Sequence, residues 1–125
     1  MLKCGITGHT GVLGSELIKK KFNFKFIIFK DDICRKKKIY QWIKKNKLDL
    51  ILHIAAVVPT KVVENNFSYA NSVNYIGTKN LVDAIVENNL NLKWFFFSST
   101  SHVYSLPKKK MKIEEKFKKK PISKY

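Results

Sequence analysis

A glycine-rich turn is the segment of this sequence whose residue types and spacing best suit chemistry. Gly8, Gly11 and Gly14 recur at every third residue, directly after the short apolar run 2–7. In a strand–turn–helix, the first glycine allows a tight turn, the second allows close approach to a phosphate, and the third lets the helix pack on the strand. Backbone N–H groups at the start of such a helix bind phosphate oxygens. The pattern predicts a site for the pyrophosphate of a dinucleotide, and favours it over an accidental turn without a ligand.

Other reactive side chains are sparse. His53 lies within an apolar run and is interpreted as a core histidine, because no cluster of further ligands accompanies it. His102 follows a polar run and is a weaker candidate for substrate contact. Cys4 and Cys34 are too few for a disulfide framework or a metal site, which favours a reducing compartment. The sequence therefore predicts neither a metal centre nor a disulfide framework.

Four motifs resemble, in the same order, those of the extended short-chain dehydrogenases/reductases, in particular the branch of NAD-dependent sugar-nucleotide epimerases, dehydratases and reductases. They are T-G-H-T-G-V-L-G at 7–14, D-L-I-L-H-I-A-A at 49–56, N-Y-I-G-T at 74–78 and F-S-S-T-S-H-V-Y at 97–104. Together the motifs span almost the whole chain. The resemblance implies a Rossmann-type fold, which is a doubly wound parallel α/β sheet, and NAD or NADP as the cofactor.

The resemblance also implies which residues bind the cofactor. The turn after the first strand would hold the phosphates, the pair Asp32–Ile33 would lie at the adenine, and the alanines of the third strand would line the cofactor. Asn74 either bridges backbone near the active site or serves only in capping and packing. The implied cofactor-binding residues are Gly8, His9, Thr10, Gly11, Val12, Leu13, Gly14, Asp32, Ile33, Ala55, Ala56 and Asn74.

Two catalytic residues follow from the same resemblance. Thr100 lies four residues before Tyr104, at the position of the family's catalytic Ser/Thr, whose hydroxyl hydrogen-bonds the reacting sugar oxygen. Tyr125 comes 25 residues after Thr100 and is preceded by P-I-S-K, which is similar to the family's P-x-S-x-Y. Its phenol would be the general acid/base, with a pKa that a following lysine lowers from about 10.

The chain departs from the family pattern at two places. The sequence stops at Tyr125, before the lysine expected at position 129, so we expect an N-terminal portion that is inactive alone, without the substrate domain. The second strand is followed at once by Lys30, Asp31 and Asp32, which indicates that one helix and one strand of the family are missing. Either aspartate suits the adenosine ribose, whereas Lys30 and Arg35 suit a 2′-phosphate. NAD and NADP therefore stay open.

The elements that must position these residues alternate along the chain. Short apolar runs predict strands over 2–7, 24–29, 50–55 and 93–98, of which the first three are predicted to be buried. Apolar side chains at helical spacing predict helices over 14–21, 36–45 and 66–88. Gly77 within the last helix is explained by close packing of that helix on the sheet, and the aromatic residues 94–97 are predicted to be core or sheet-covering side chains. The alternation indicates an incomplete parallel sheet of about four strands, with helices on both faces.

The 125 residues suffice for one domain, which we assign to 1–125 as a partial NAD(P)-binding domain, with a lysine-rich loop at 106–124. The net charge is +16, but Arg35 is the single arginine. Because arginine is the usual reader of bases, and because the lysines fit coding bias, no nucleic-acid partner is predicted. No apolar run is long enough to span a membrane and no signal peptide is recognised, so a cytoplasmic location is expected.

Three functions follow in order of preference. The first is NAD(P)-dependent epimerisation, dehydration or reduction of a nucleotide-activated sugar, with hydride transfer and tyrosine acid/base chemistry. The second is a non-catalytic dinucleotide-binding module, and the third is a lysine-rich nucleic-acid-binding protein. A homodimer is allowed for. A sheet of four strands would leave an edge and helix faces uncovered, so we expect the isolated chain to aggregate or to be partly molten.

Overall fold

A parallel four-stranded sheet organises the molecule. The computed structural model describes residues 1–58, 60–105 and 111–121. The strands are β1 (Leu2–Thr7), β2 (Phe24–Ile28), β3 (Leu50–His53) and β4 (Trp94–Phe97). Their order is β2-β1-β3-β4, and every pairing is parallel. The predicted α/β class with an incomplete parallel sheet is confirmed.

Helices connect the strands. The α-helices are α1 (Val12–Leu17), α2 (Lys36–Asn46), α3 (Thr60–Asn65), α4 (Phe67–Asn71) and α5 (Thr78–Glu87). A π-helical segment (Ser72–Gly77) joins α4 to α5, and a 3₁₀ turn (Ser101–Val103) follows β4. Right-handed crossovers place α1 on one face of the sheet and both α2 and α5 on the other. Among the described residues, no helix is long and apolar enough to cross a bilayer.

The main core lies between the sheet and the α2/α5 layer. Side chains alternate along a strand, so a Cβ at Gly5 of β1 would point at Trp42 and Leu48, on the α2 side. Lys36 ties the two helices together through an ion pair with Glu87 at 3.1 Å. The buried members of this core are Phe29, Ile33, Ile39, Ile43, Leu48, Ile51, Leu81 and Ala84.

The first helix differs from its prediction at both ends. It begins at Val12 rather than Gly14 and ends at Leu17 rather than Lys21. Gly14 thus lies inside the helix, with its position set by contact against the preceding turn. After Leu17 the backbone pairing shortens to an i−3 pattern, since Lys20 N–H donates to Leu17 O at 3.0 Å. The prediction placed the glycine at the helix start because spacing alone does not show where the first helical bond closes.

The helical stretch predicted for 66–88 has the right extent but not the right continuity. Asn66 caps its start by accepting the N–H of Tyr69 at 3.1 Å, and Asn88 is its C-cap. The π-helical segment in the middle changes the angular position of the residues that follow it. Tyr69, Ile76 and Val82, which were predicted on the apolar face, are exposed.

Gly77 is required by a different neighbour from the one expected. A Cβ at Gly77 would lie 2.6 Å from Cγ2 of Ile33, which belongs to the loop before α2. The expected reason, close packing of the helix directly on the sheet, is therefore wrong. The glycine instead makes room for a loop side chain that is part of the core.

The aromatic residues of β4 are not core residues. Their exposed fractions run from 37% at Phe95 to 49% at Phe97. Because β4 is an edge strand that pairs only with β3, its side chains have neighbours on one side of the strand only. Strand β2 is the opposite edge, and it too is only half-buried rather than fully covered. The prediction that the run 24–29 is covered on both faces is thus wrong, whereas the strands predicted at 24–29 and 93–98 are confirmed.

The lysine-rich segment returns to the body of the molecule. Residues 118–120 run antiparallel to 103–105, with Lys120 N–H donating to Val103 O at 2.9 Å and Ser105 N–H donating to Lys118 O at 3.2 Å. This part of the chain is therefore anchored rather than a solvated loop throughout. Residues 106–110 and 122–125 of the assigned loop and its end lie outside the described residues.

Candidate functional site

The glycine-rich turn begins at the carboxyl end of β1. Gly8 has a φ of +77°, and a Cβ there would lie 2.6 Å from the backbone nitrogen of Ala55. Gly14 lies against the same turn, since a Cβ on it would be 2.7 Å from Cα of His9. Both glycines are therefore required by the chain's own backbone. They bring the start of α1 close to the exit of β3.

Gly11 differs from its two neighbours in the motif. Its φ is −71°, which any residue adopts, and a Cβ on it would meet only the Gly8 carbonyl oxygen, at 3.5 Å. It is the N-cap of α1, and no side chain caps that helix start. The intervening residues Thr10, Val12 and Leu13 are exposed. The fold itself therefore gives no steric reason for a glycine at position 11.

The loop after β2 places the two members of the predicted adenine pair in different environments. The Asp32 side chain is exposed, and its Oδ1 accepts the N–H of Cys34 at 2.8 Å. Ile33 is 6% exposed and belongs to the core. Of the pair, only Asp32 has a side chain that is exposed at the surface. Lys30, Asp31 and Arg35 around it are exposed as well.

A cavity of about 260 Å³ opens at the carboxyl ends of β3 and β4. Such ends are where ligands bind in open parallel sheets. The cavity unites three of the motifs read from the sequence, and its lining is Ala55, Ala56, Asn74, Thr78, Phe97, Ser98, Ser99, Thr100 and Val103. Thr78 was not among the predicted site residues. The motif N-Y-I-G-T contained it, but the sequence alone did not show that it lines the cavity.

Asn74 uses its whole side-chain amide on the backbone of Val57. Its Oδ1 accepts the Val57 N–H at 2.7 Å, and its Nδ2 donates to the Val57 carbonyl oxygen at 3.0 Å. This geometry is the backbone bridge considered above. Asn74 therefore lines the cavity while holding the chain just beyond Ala55 and Ala56, rather than directing its amide at a ligand.

His53 lies beneath the cavity as a fully buried side chain. Its Nδ1 is 2.6 Å from Thr7 Oγ1, and its Nε2 is 2.8 Å from Thr78 Oγ1. Burial lowers the pKa of the imidazole from 6.5 to about 4, so the ring is neutral at pH 7. The prediction of a core histidine is confirmed. The residues described contain no group of three His, Cys, Asp or Glu that could hold a metal ion.

The structure describes one of the two predicted catalytic residues, Thr100. Thr100 lines the cavity and is the N-cap of the 3₁₀ turn, where its Oγ1 accepts the N–H of His102 at 3.2 Å. A hydroxyl that accepts this bond still has its own hydrogen to donate. Tyr125 lies outside the described residues.

Neither cysteine is an activated thiol, because burial raises the pKa of Cys4 to about 11 and raises that of Cys34, where Asp32 adds to the shift.

Comparison with known proteins decides the family. The family model described as GDP-mannose 4,6 dehydratase matches residues 7–125. The chain belongs to this family. The predicted membership of the extended short-chain dehydrogenases/reductases is therefore confirmed. Glycine-rich turn, cavity and Thr100 all lie within the matched range.

Proteins similar to this chain include enzymes that are named for nucleotide-linked sugars. A curated GDP-6-deoxy-D-talose 4-dehydrogenase from Aggregatibacter actinomycetemcomitans is 30% identical over 131 residues, which cover 99% of this chain and 44% of the relative. A dTDP-4-dehydrorhamnose reductase from Clostridium acetobutylicum superposes with a TM-score of 0.85 at 27% identity, over 99% of this chain and 45% of that one. RMD from Pseudomonas aeruginosa, complexed with NADPH, has a TM-score of 0.85 at 16% identity, over 100% and 44%.

These comparisons confirm the Rossmann-type fold. They also show that the chain spans less than half the length of the relatives it matches.

Proposed function

We propose that this chain binds NAD or NADP and forms the cofactor-binding part of an enzyme that transfers hydride to or from a nucleotide-activated sugar. One observation carries the proposal. Gly8 and Gly14 are glycines because the surrounding backbone leaves no space for a Cβ, whereas the space over Gly11 is open. A glycine that the fold does not need fits a position where a ligand must approach the backbone.

The cofactor-binding residues proposed here are those predicted from the sequence, with two refinements. The turn from Gly8 to Gly14 would hold the phosphates, and Ala55 and Ala56 would line the cofactor. Asp32 would act through its side chain, while Ile33 supports the loop from within the core. Asn74 would act indirectly, by fixing the backbone at Val57.

The proposed chemistry places proton handling on this chain. When bound, the dinucleotide would supply or accept the hydride. Thr100 would donate its free hydroxyl hydrogen to the sugar oxygen, and Tyr125 would move the proton as the general acid/base. The described part of the chain supports this assignment, because Lys120, five residues before Tyr125, donates its N–H to the carbonyl oxygen of Val103, which lines the cavity.

Turnover by the 125-residue chain alone is not expected. The curated relative is more than twice as long as this chain, which covers 44% of it. The β4 side chains are 37–49% exposed in this chain. We therefore propose that substrate binding and turnover depend on parts that the longer relatives have, while dinucleotide binding is already built here.

The test compares substitutions at two glycines of the turn. Gly11→Ala should leave the free energy of unfolding within about 1 kcal/mol of the parent, because φ and space both allow alanine. The added Cβ would keep a phosphate away from the backbone N–H groups of the turn. Binding of NADH or NADPH, followed by nucleotide fluorescence, should therefore weaken by about 10- to 100-fold, which corresponds to losing a hydrogen bond to a charged group. Gly14→Ala should instead destabilise the fold, because its Cβ would overlap the backbone of the turn.

Separate titrations with NADH and NADPH also decide between the two cofactors. A preference for NADPH would favour Lys30 and Arg35 as ligands of a 2′-phosphate, and a preference for NADH would favour an aspartate at the ribose. If the folded parent bound neither dinucleotide, or if Gly11→Ala bound as tightly as the parent, the proposal would be wrong.

A further inference from the structure

A chain of hydrogen bonds passes through His53, and its donors and acceptors can be assigned. The Thr78 hydroxyl has one hydrogen, which it donates to the Asn74 carbonyl oxygen at 2.7 Å. Its oxygen must therefore accept the hydrogen on Nε2 of His53. A neutral imidazole carries one N–H, so Nδ1 is the acceptor and receives the Thr7 hydroxyl hydrogen.

The remaining bond follows the same direction. Thr7 Oγ1 accepts the N–H of Ala55 at 3.4 Å while donating to the ring. Every donor thus points along one path, from Ala55 through Thr7, His53 and Thr78 to the Asn74 carbonyl oxygen. The path joins residues 46 and 25 positions apart in the chain, through a ring that is 1% exposed.

We infer that His53, as the neutral Nε2–H tautomer, is a positioning residue that couples the glycine-rich turn to the cavity wall. Its Nδ1 fixes Thr7, the residue that directly precedes the turn, and its Nε2 fixes Thr78 on the cavity wall. This inference rests on the proposed function, because the backbone it fixes at both ends is that assigned to the dinucleotide.

The position calls for a ring with two different nitrogens rather than for an apolar side chain alone. A buried polar ring is costly unless its nitrogens are hydrogen-bonded, and here both are. Phenylalanine would fill similar space beside Phe97, which stacks on the ring at 5.7 Å, but it would leave both threonine hydroxyls without their ring partner. The directional path is therefore the distinguishing feature of His53.

The first measurement is the tautomer itself. Side-chain ¹⁵N spectra of the 125-residue chain at pH 7 should show the His53 pattern of the Nε2–H form. Thr78→Val, which removes the acceptor of that hydrogen, should shift the ring towards the Nδ1–H form, whereas Thr7→Val should leave it as Nε2–H. An Nδ1–H ring in the parent, or an unchanged tautomer in Thr78→Val, would overturn the inference.

The second measurement is a double-mutant cycle on dinucleotide affinity. Thr7→Val and Thr78→Val are near-isosteric and do not share a hydrogen bond with each other, so only His53 links them along this path. Each should weaken binding of the preferred dinucleotide by roughly fivefold, as expected for one hydrogen bond. The double variant should bind little more weakly than the poorer single variant. Independent effects, which would multiply to about 25-fold, would contradict coupling through His53.

These arms separate the inference from the proposed function. If the folded parent binds no dinucleotide, the proposed function is wrong and the claimed coupling to it falls as well, whatever the tautomer. If the parent binds but the cycle is multiplicative, the proposed function stands and only the positioning role of His53 is wrong. Circular dichroism of each variant establishes that it is folded, and Ser68→Ala, which removes an exposed hydroxyl of α4, is the control for binding.

Discussion

Acidification should destabilise this protein through one buried ring. The pKa of His53 is 6.5 in an unfolded chain and about 4 in the fold, so the unfolded state binds the proton more readily between these values. A group with a lowered folded pKa contributes stability that is complete above pH 6.5 and is lost as the pH falls towards 4. Linkage with these two values gives a loss of about 2 kcal/mol between pH 7 and pH 5.

Urea unfolding at pH 7, 6 and 5, followed by tryptophan fluorescence, measures this loss. His53→Gln should be less stable than the parent at pH 7 but should lose about 2 kcal/mol less on acidification to pH 5. Should His53→Gln show the same pH dependence as the parent, or should the His53 NMR titration have a midpoint near 6.5, the argument from burial would be refuted.

Three further outcomes are expected. Gly77→Ala should lower the free energy of unfolding by about 1–3 kcal/mol through contact with Ile33. In equilibrium unfolding, the effects of Gly77→Ala and Ile33→Ala should not add up in the double variant. Phe96→Lys on the exposed edge strand should reduce self-association in sedimentation velocity, whereas unchanged association would mean that another surface is responsible. Cys4 should react with a thiol reagent at pH 8 far more slowly than in urea, since burial raises its pKa to about 11, and equal rates would contradict that burial.

The extent of the fold could be predicted because its local patterns agree with one another. Apolar runs of strand length located all four strands, and alternation with helical spacing gave a parallel sheet. Burial could not be predicted in the same way. The run 94–97 is continuous and aromatic, yet it forms an edge strand, and the strand order that makes it an edge is set by long-range pairing.

The candidate site, too, could be predicted from the sequence only in part. The glycine-rich turn was predicted from residue types and spacing, whereas Ala55, Ala56 and Thr100 were predicted from the resemblance to the family. Thr78 was missed as a site residue, because its place in the cavity wall beside His53 depends on a contact between residues 25 positions apart. The role of Asn74 also needed the structure, since its partner, Val57, is 17 residues away.

The sequence by itself determined the family, the order of strands and helices along the chain, and the positions of the glycines in the turn. These follow from local sterics, from side-chain periodicity and from motifs that are contiguous in the chain. Only the tertiary structure decided why each glycine is there. Gly8 and Gly14 face backbone that arrives from β3 or from the turn itself, and Gly11 faces open space. It likewise decided that His53 joins Thr7 to Thr78, because packing the parallel strands and α5 together brings distant hydroxyls to both nitrogens of one ring.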